Sequence, residues 1–159
     1  MITDTSINNL LSLKYKIQSL EWVDNVVTLL DIPLLNNSEA PLQDRLKNFK
    51  TLKDEDVNKD RGFKEIISSP VFRNFVISED GKTSGIIVYL KKNKPLDDIK
   101  NKSKEEIEIF KDQIKKQNHK NIVEIRDVIK SYENIGKIHL GGIPMIADDM
   151  MTFIKSDIV

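Results

Sequence analysis

Cysteine is absent from this chain of 159 residues. Disulfide bonds, thiolate catalysis and cysteine-ligated zinc are therefore excluded. Histidine occurs only at His119 and His139, with no partner at metal-ligand spacing, so zinc chemistry has no support and no metal is expected. No apolar run approaches the ~20 residues that a helix needs to cross a bilayer. The first residues do not read as a signal peptide, because Asp4 and its polar neighbours interrupt any apolar stretch. An excess of charge of one sign is also missing: 25 basic and 25 acidic side chains cancel. The densest basic stretch, Lys91 to Lys120, interleaves its lysines with acids. It reads as a solvated helix face, and no nucleic-acid partner is expected. Tryptophan occurs once, and Trp22 reads as a core or rim anchor.

What remains is a highly charged chain (31%) with a modest apolar share (39%), suited to one domain that has room for two small subdomains. Ile7, Leu10, Leu11, Leu13, Ile17 and Leu20 repeat at helical spacing and predict a helix over Ser6–Leu20, capped from Asp4, Thr5 or Ser6. The β-branched and aliphatic run Val23–Leu30 predicts a strand, ended by Pro33. Over residues 34–70 the pattern is less regular. Asn36-Asn37-Ser38 reads as a turn, Leu42, Leu46 and Phe49 as a short helix after Pro41, and Asp54-Glu55-Asp56 as an exposed acidic run. A second short helix over Arg61–Ser68 buries Phe63, Ile66 and Ile67 and stops before Pro70.

The clearest local signal predicts a β-hairpin, with Phe72–Ser78 and Thr83–Leu90 flanking Glu79-Asp80-Gly81-Lys82. Bulk on both faces of Ile86–Leu90 predicts a central or well-covered strand. Residues 93–120 form a second less regular region: Pro95–Lys102 is a charged connection, and Ser103 with Glu106 matches a capping box. Apolar spacing lapses over Lys115–Asn121 and resumes at Ile122, Ile125, Ile129 and Tyr132. This pattern suits two helices or one long helix with a polar middle, ended at Gly136. Ile138–Leu140 reads as a last strand, and a terminal helix follows Gly141-Gly142-Ile143-Pro144. The order fits an α+β fold of the ferredoxin-like, split βαβ kind with its opening strand missing.

No constellation for catalysis is visible, and neither an enzyme nor a cofactor is expected. Asp148 and Asp149 are adjacent, about 100° apart around a helix, so they do not converge on one ion. Acids are also favoured near helix N-termini. Gly141 and Gly142 lack the flanking pattern of a phosphate loop, and Pro144 removes a donor, so they read as a tight turn. Met145, Met150 and Met151 read as packing residues that could also offer a soft apolar surface.

Four blocks, taken in order and spacing, resemble one family. They are Trp22–Leu30; Ser69-Pro70 through Asn74 and Ser78 to Asp80-Gly81-Lys82-Thr83; Ile122–Tyr132; and Gly141-Gly142-Ile143-Pro144-Met145-Ile146-Ala147-Asp148-Asp149-Met150. Together they resemble the first extracytoplasmic loop, the porter domain, of exporters of the resistance-nodulation-division (RND) superfamily, in the branch related to MMPL-type lipid exporters. The resemblance covers about Leu20 to Val159. It implies a ferredoxin-like porter-type domain cut from a proton-driven membrane protein, lying outside the cytoplasmic membrane. It implies passage or binding of a hydrophobic or amphipathic substrate, with the remaining domains and membrane helices of the parent as partners. Asp80, Gly81, Gly141, Gly142, Pro144, Asp148 and Asp149 are then structural motif residues, and the energising carboxylates lie in membrane helices outside this chain. Self-association through a sheet edge left open is a further expectation. The rival expectation is a stand-alone cytoplasmic ferredoxin-like binding or regulatory domain.

Overall fold

A computed structural model of the chain describes residues 2–36, 41–47, 49–92 and 103–157. The expected positions Asn37, Ser38 and Pro95–Lys102 lie outside these. The fold is α+β, and the chain forms two compact units, Met1–Leu90 and Lys91–Val159.

In the first unit, α1 spans Asp4–Gln18 and buries Ile7, Leu13 and Ile17. Thr3 caps it, its hydroxyl accepting from the Ser6 N–H at 3.1 Å, so the helix starts two residues before the predicted Ser6. Strand β1 is Val23–Val27 and β2 is Ile87–Leu90; they pair antiparallel, and α1 packs against β1. Val23 and Val26 are both buried although three residues apart, a spacing that simple alternation would place on opposite faces. The register explains it: β1 advances two residues from Val23 to Asn25 while β2 advances one, from Leu90 to Tyr89. That bulge resets the alternation. Gln18 stabilises it from the end of α1, donating to the Asp24 carbonyl at 3.0 Å and accepting from the Val26 N–H at 2.8 Å.

The predicted strand Val23–Leu30 stops early, at Val27. Thr28 and Asp31 form a capping box: the Thr28 hydroxyl accepts from the Leu30 N–H, and the Asp31 carboxylate accepts from the Thr28 N–H at 2.8 Å. This closes a 3-10 turn over Leu29–Asp31 that seats Leu29 and Leu30 in the core. Around them lie Ile7, Ile32, Leu34, Leu52, Val57, Ile66, Val76 and Ile77. Helix α2 is Leu42–Lys47, with Phe49 outside it and half exposed. Helix α3, Lys59–Ser68, is capped by Asn58 and buries Ile66, with Phe63 and Ile67 packed against the core.

The predicted hairpin is replaced by a coiled loop. Asn74 takes a left-handed φ of 62°, and the Phe72 carbonyl accepts from the N–H groups of Phe75 and Val76. That geometry curls residues 72–77, so they cannot lie extended beside Thr83–Leu90; only an isolated bridge, Ile77 to Ser84, remains. The turn itself forms as expected: Gly81 has φ 67°, and the Asp80 carboxylate accepts from the Ser78 hydroxyl and the Lys82 N–H. The partner of β2 is instead β1, and Tyr89 and Leu90 are about half exposed, so β2 is not the covered central strand expected.

In the second unit, α4 runs unbroken over Lys104–Ser131, including the 104–120 stretch expected to be less regular. The Ser103–Glu106 capping box starts it. Its polar middle does not break it, because Lys115, Lys116, Gln117 and Lys120 are good helix formers and no glycine or proline interrupts Lys104–Ser131. It ends at Ser131 rather than at Gly136: the Tyr132 N–H bonds back to the carbonyls of Ile129 and Lys130, a tightened last turn that needs no left-handed glycine. Residues 136–142 contain no strand, because a strand exists only with a neighbour to exchange hydrogen bonds and Ile138–Leu140 has none among the described residues. Helix α5 is Ile143–Asp157. No helix among the described residues is long and apolar enough to cross a membrane.

Candidate functional site

Helix α5 begins where Gly142 adopts φ 118°, a conformation that side-chain-bearing residues rarely take. Its carbonyl accepts from the Ile146 N–H, closing the first turn around Pro144, whose missing donor is not needed there. Met145, Asp148 and Met151 recur at helical spacing and are half-buried or buried. This is the stripe turned towards α4. The other stripe is more apolar and lies in solvent: Ile143 is 83% exposed, Phe153 66%, Met150 60%, Ile154 53% and Ile146 52%. Such an exposed apolar ribbon is a candidate interaction surface.

Asn118, His119 and Arg126 of α4 each make a polar contact with α5. The Asn118 amide donates to the Pro144 carbonyl at 2.8 Å. His119 Nδ1 lies 2.9 and 3.1 Å from the two carboxylate oxygens of Asp148. Arg126 donates to both oxygens of Asp149 at 2.7 and 2.9 Å. The two adjacent acids therefore go to separate partners, as their angular separation requires. Asp148 is buried at 6% exposure while the His119 side chain is 57% exposed. In the sequence His119 falls in the polar lapse of α4, where its neighbours suggest no role for it. The usable signal was its spacing: Asn118, His119, Ile122, Ile125 and Arg126 fall on one helix face, so the polar residues continue the apolar stripe towards α5.

The first unit holds an open cleft of about 450 Å³, lined by Ile32, Pro33, Leu35, Ile66, Pro70 and Phe72 together with Asn36, Glu65, Ser68 and Ser69. Its size falls in the range of small-molecule sites. The polar side chains of Glu65, Ser68 and Ser69 are already engaged. Glu65 accepts from the backbone N–H groups of Leu35 (2.6 Å) and Asn36 (3.0 Å), Ser68 donates to the Lys64 carbonyl, and the Ser69 hydroxyl accepts from the Val71 N–H. What the cleft offers a ligand is apolar surface.

Charge in the first unit serves structure. Asp31 takes hydrogen bonds from Lys14 at 2.5 Å and Lys53 at 3.0 Å as well as from Thr28. Partial burial pushes its carboxyl up, but the bonds from Lys14, the Thr28 backbone and Lys53 outweigh this and bring it down to about 2. The Thr51 backbone holds Asp54 below its ordinary value, and the Ser78 hydroxyl does the same for Asp80. Among the described residues no three histidine or carboxylate side chains gather where they could hold a metal ion. Neither the family-model comparison nor comparison with curated proteins and solved structures finds a match to this chain.

Proposed function

We propose that this chain is an extracytoplasmic, porter-type domain of a proton-driven exporter of the RND superfamily, MMPL-like branch, contributing to the binding or passage of a hydrophobic or amphipathic substrate. The observation that carries the proposal is the apolar ribbon of α5, Ile143, Ile146, Met150, Phe153 and Ile154, exposed on the helix that closes the chain. Leaving so much apolar surface in water is unfavourable, and docking against the rest of a parent protein relieves it. The four motif blocks support the same reading, and several of their residues have local reasons to be what they are. Gly81 and Gly142 take positive φ, Asn74 takes the left-handed region that asparagine tolerates, and Asp148 and Asp149 fasten α5 to α4. The cleft between the 32–36 segment and α3 suits an apolar ligand. In this reading the ferredoxin-like sheet is completed by strands from elsewhere in the parent, since β1 and β2 each have a single strand neighbour among the described residues.

A photoreactive residue in place of Met150 or Phe153, in the full native reading frame and in native membranes, tests the docking role. Cross-links to other segments of the same polypeptide or its assembly are expected. Quenching by solvent alone, with no cross-link, counts against it.

A further inference from the structure

Among the three α4–α5 contacts of Asn118, His119 and Arg126, one involves a side chain whose charge changes within ordinary pH. Arg126 keeps its charge throughout, and the Asn118 amide does not titrate. Asp148 is buried, and both its oxygens face the single nitrogen His119 Nδ1. A buried carboxylate is stabilised in proportion to the charge and hydrogen bonding that meet it. Histidine is the side chain that gains and loses a proton between about pH 5 and 8. With Asp148 ionised, Nδ1 must carry a hydrogen in either form of the ring. The added proton therefore keeps the hydrogen bond and makes it charge-assisted.

We propose that His119 and Asp148 form a proton-operated latch that holds α5 firmly to α4 when the imidazole is charged and loosens it when the proton leaves. The surroundings are mixed. Asp148 and Asp149 on α5 favour the charged ring, and Asp149 is already matched by Arg126. On α4, Lys115 and Lys116 lie one turn before His119 and oppose the charge, Lys115 being partly neutralised by Asp112 at 3.7 Å. Lys120 and Glu124 follow it with opposite signs. The Asn118 and Arg126 contacts keep α5 in register in both states. The latch thus sets how tightly the helix carrying the exposed apolar ribbon is held. It goes beyond the exporter proposal and does not depend on it, because both partners lie within one compact unit and the test reads that unit alone.

Backbone hydrogen exchange over Met145–Met151, measured on the whole chain and corrected for intrinsic rates, reads the latch. Protection is expected to be about fivefold higher near pH 5.5 than near pH 8, the step from a neutral to a charge-assisted bond reduced by the ring's exposure. His119→Gln is expected to abolish this dependence, and His119→Lys to give high protection at both pH values. A flat profile in the unaltered chain overturns the proposal, as does an unchanged one in His119→Gln. Nitrogen resonances of the His119 ring supply a check that does not depend on that variant folding. They must report Nδ1 bearing hydrogen at both pH values, as the bond to Asp148 requires, and an Nδ1 without hydrogen overturns the latch.

Discussion

Replacing Asp31 by asparagine removes one negative charge from a site that joins three segments of the first unit. Lys14 reaches it from α1, Thr28 from the end of β1, and Lys53 from the loop before α3. The Asp31 side chain is only 20% exposed, so water screens these contacts incompletely. Its folded value of about 2 lies below the ordinary 3.8. At about 1.4 kcal/mol per pH unit, that interval corresponds to roughly 2 kcal/mol of stability. Because the folded value is the lower one, the contribution is complete above the ordinary value. It is lost as pH falls through the window from about 3.8 to about 2, where the folded state too takes up the proton. Asp31→Asn is thus expected to lower stability by about 2 kcal/mol at pH 7 and by little at pH 2. Urea unfolding followed by Trp22 fluorescence is suited to this, since the only tryptophan lies in the same unit. Other carboxylates titrate in both proteins, so the difference between the two curves isolates Asp31. A gap of the same size at both pH values refutes the electrostatic argument, and so does the absence of a gap at pH 7.

Leu30→Ala empties a fully buried position at the centre of the first core and is expected to cost about 3 kcal/mol in the same unfolding experiment. Gly81→Ala should cost about 1–2 kcal/mol, read as a lowered urea midpoint, because φ is 67° and the added Cβ would stand 2.8 Å from Ile67 Cδ1. At Asn74, glycine should change stability by less than about 0.5 kcal/mol, whereas valine should cost about 1–2 kcal/mol, since a β-branched residue resists the left-handed φ of 62°.

Helices were the legible part of this sequence. Spacing in α1 and α3, and the Ser103–Glu106 box of α4, rest on contacts within a few residues, which a linear reading captures. Strand content was misread where a short polar pair overrode an apolar run. Thr28 and Asp31 sit amid Val26, Val27, Leu29 and Leu30, and their reciprocal hydrogen bonds turn the chain inside what reads as a strand. The hairpin failed for a related reason: the Asp80-Gly81 turn is local and forms, but strand pairing is not local. A left-handed Asn74 diverts the first arm, and β1, about sixty residues away in sequence, takes the second. His119 and Asp148, 29 residues apart, meet only once α5 is laid on α4. Neither residue's immediate neighbours announce the other, so the pairing was legible only as a face of α4, not as a partner.

The proposal that the chain works outside the cytoplasmic membrane as part of an exporter is tested most directly by a topology reporter. A tandem of alkaline phosphatase and green fluorescent protein is inserted beside the exposed Gly136 within the full native reading frame. Active phosphatase with no fluorescence is the expected result. Fluorescence without phosphatase activity would place this segment in the cytoplasm, contradict the exporter account and favour a cytoplasmic binding domain.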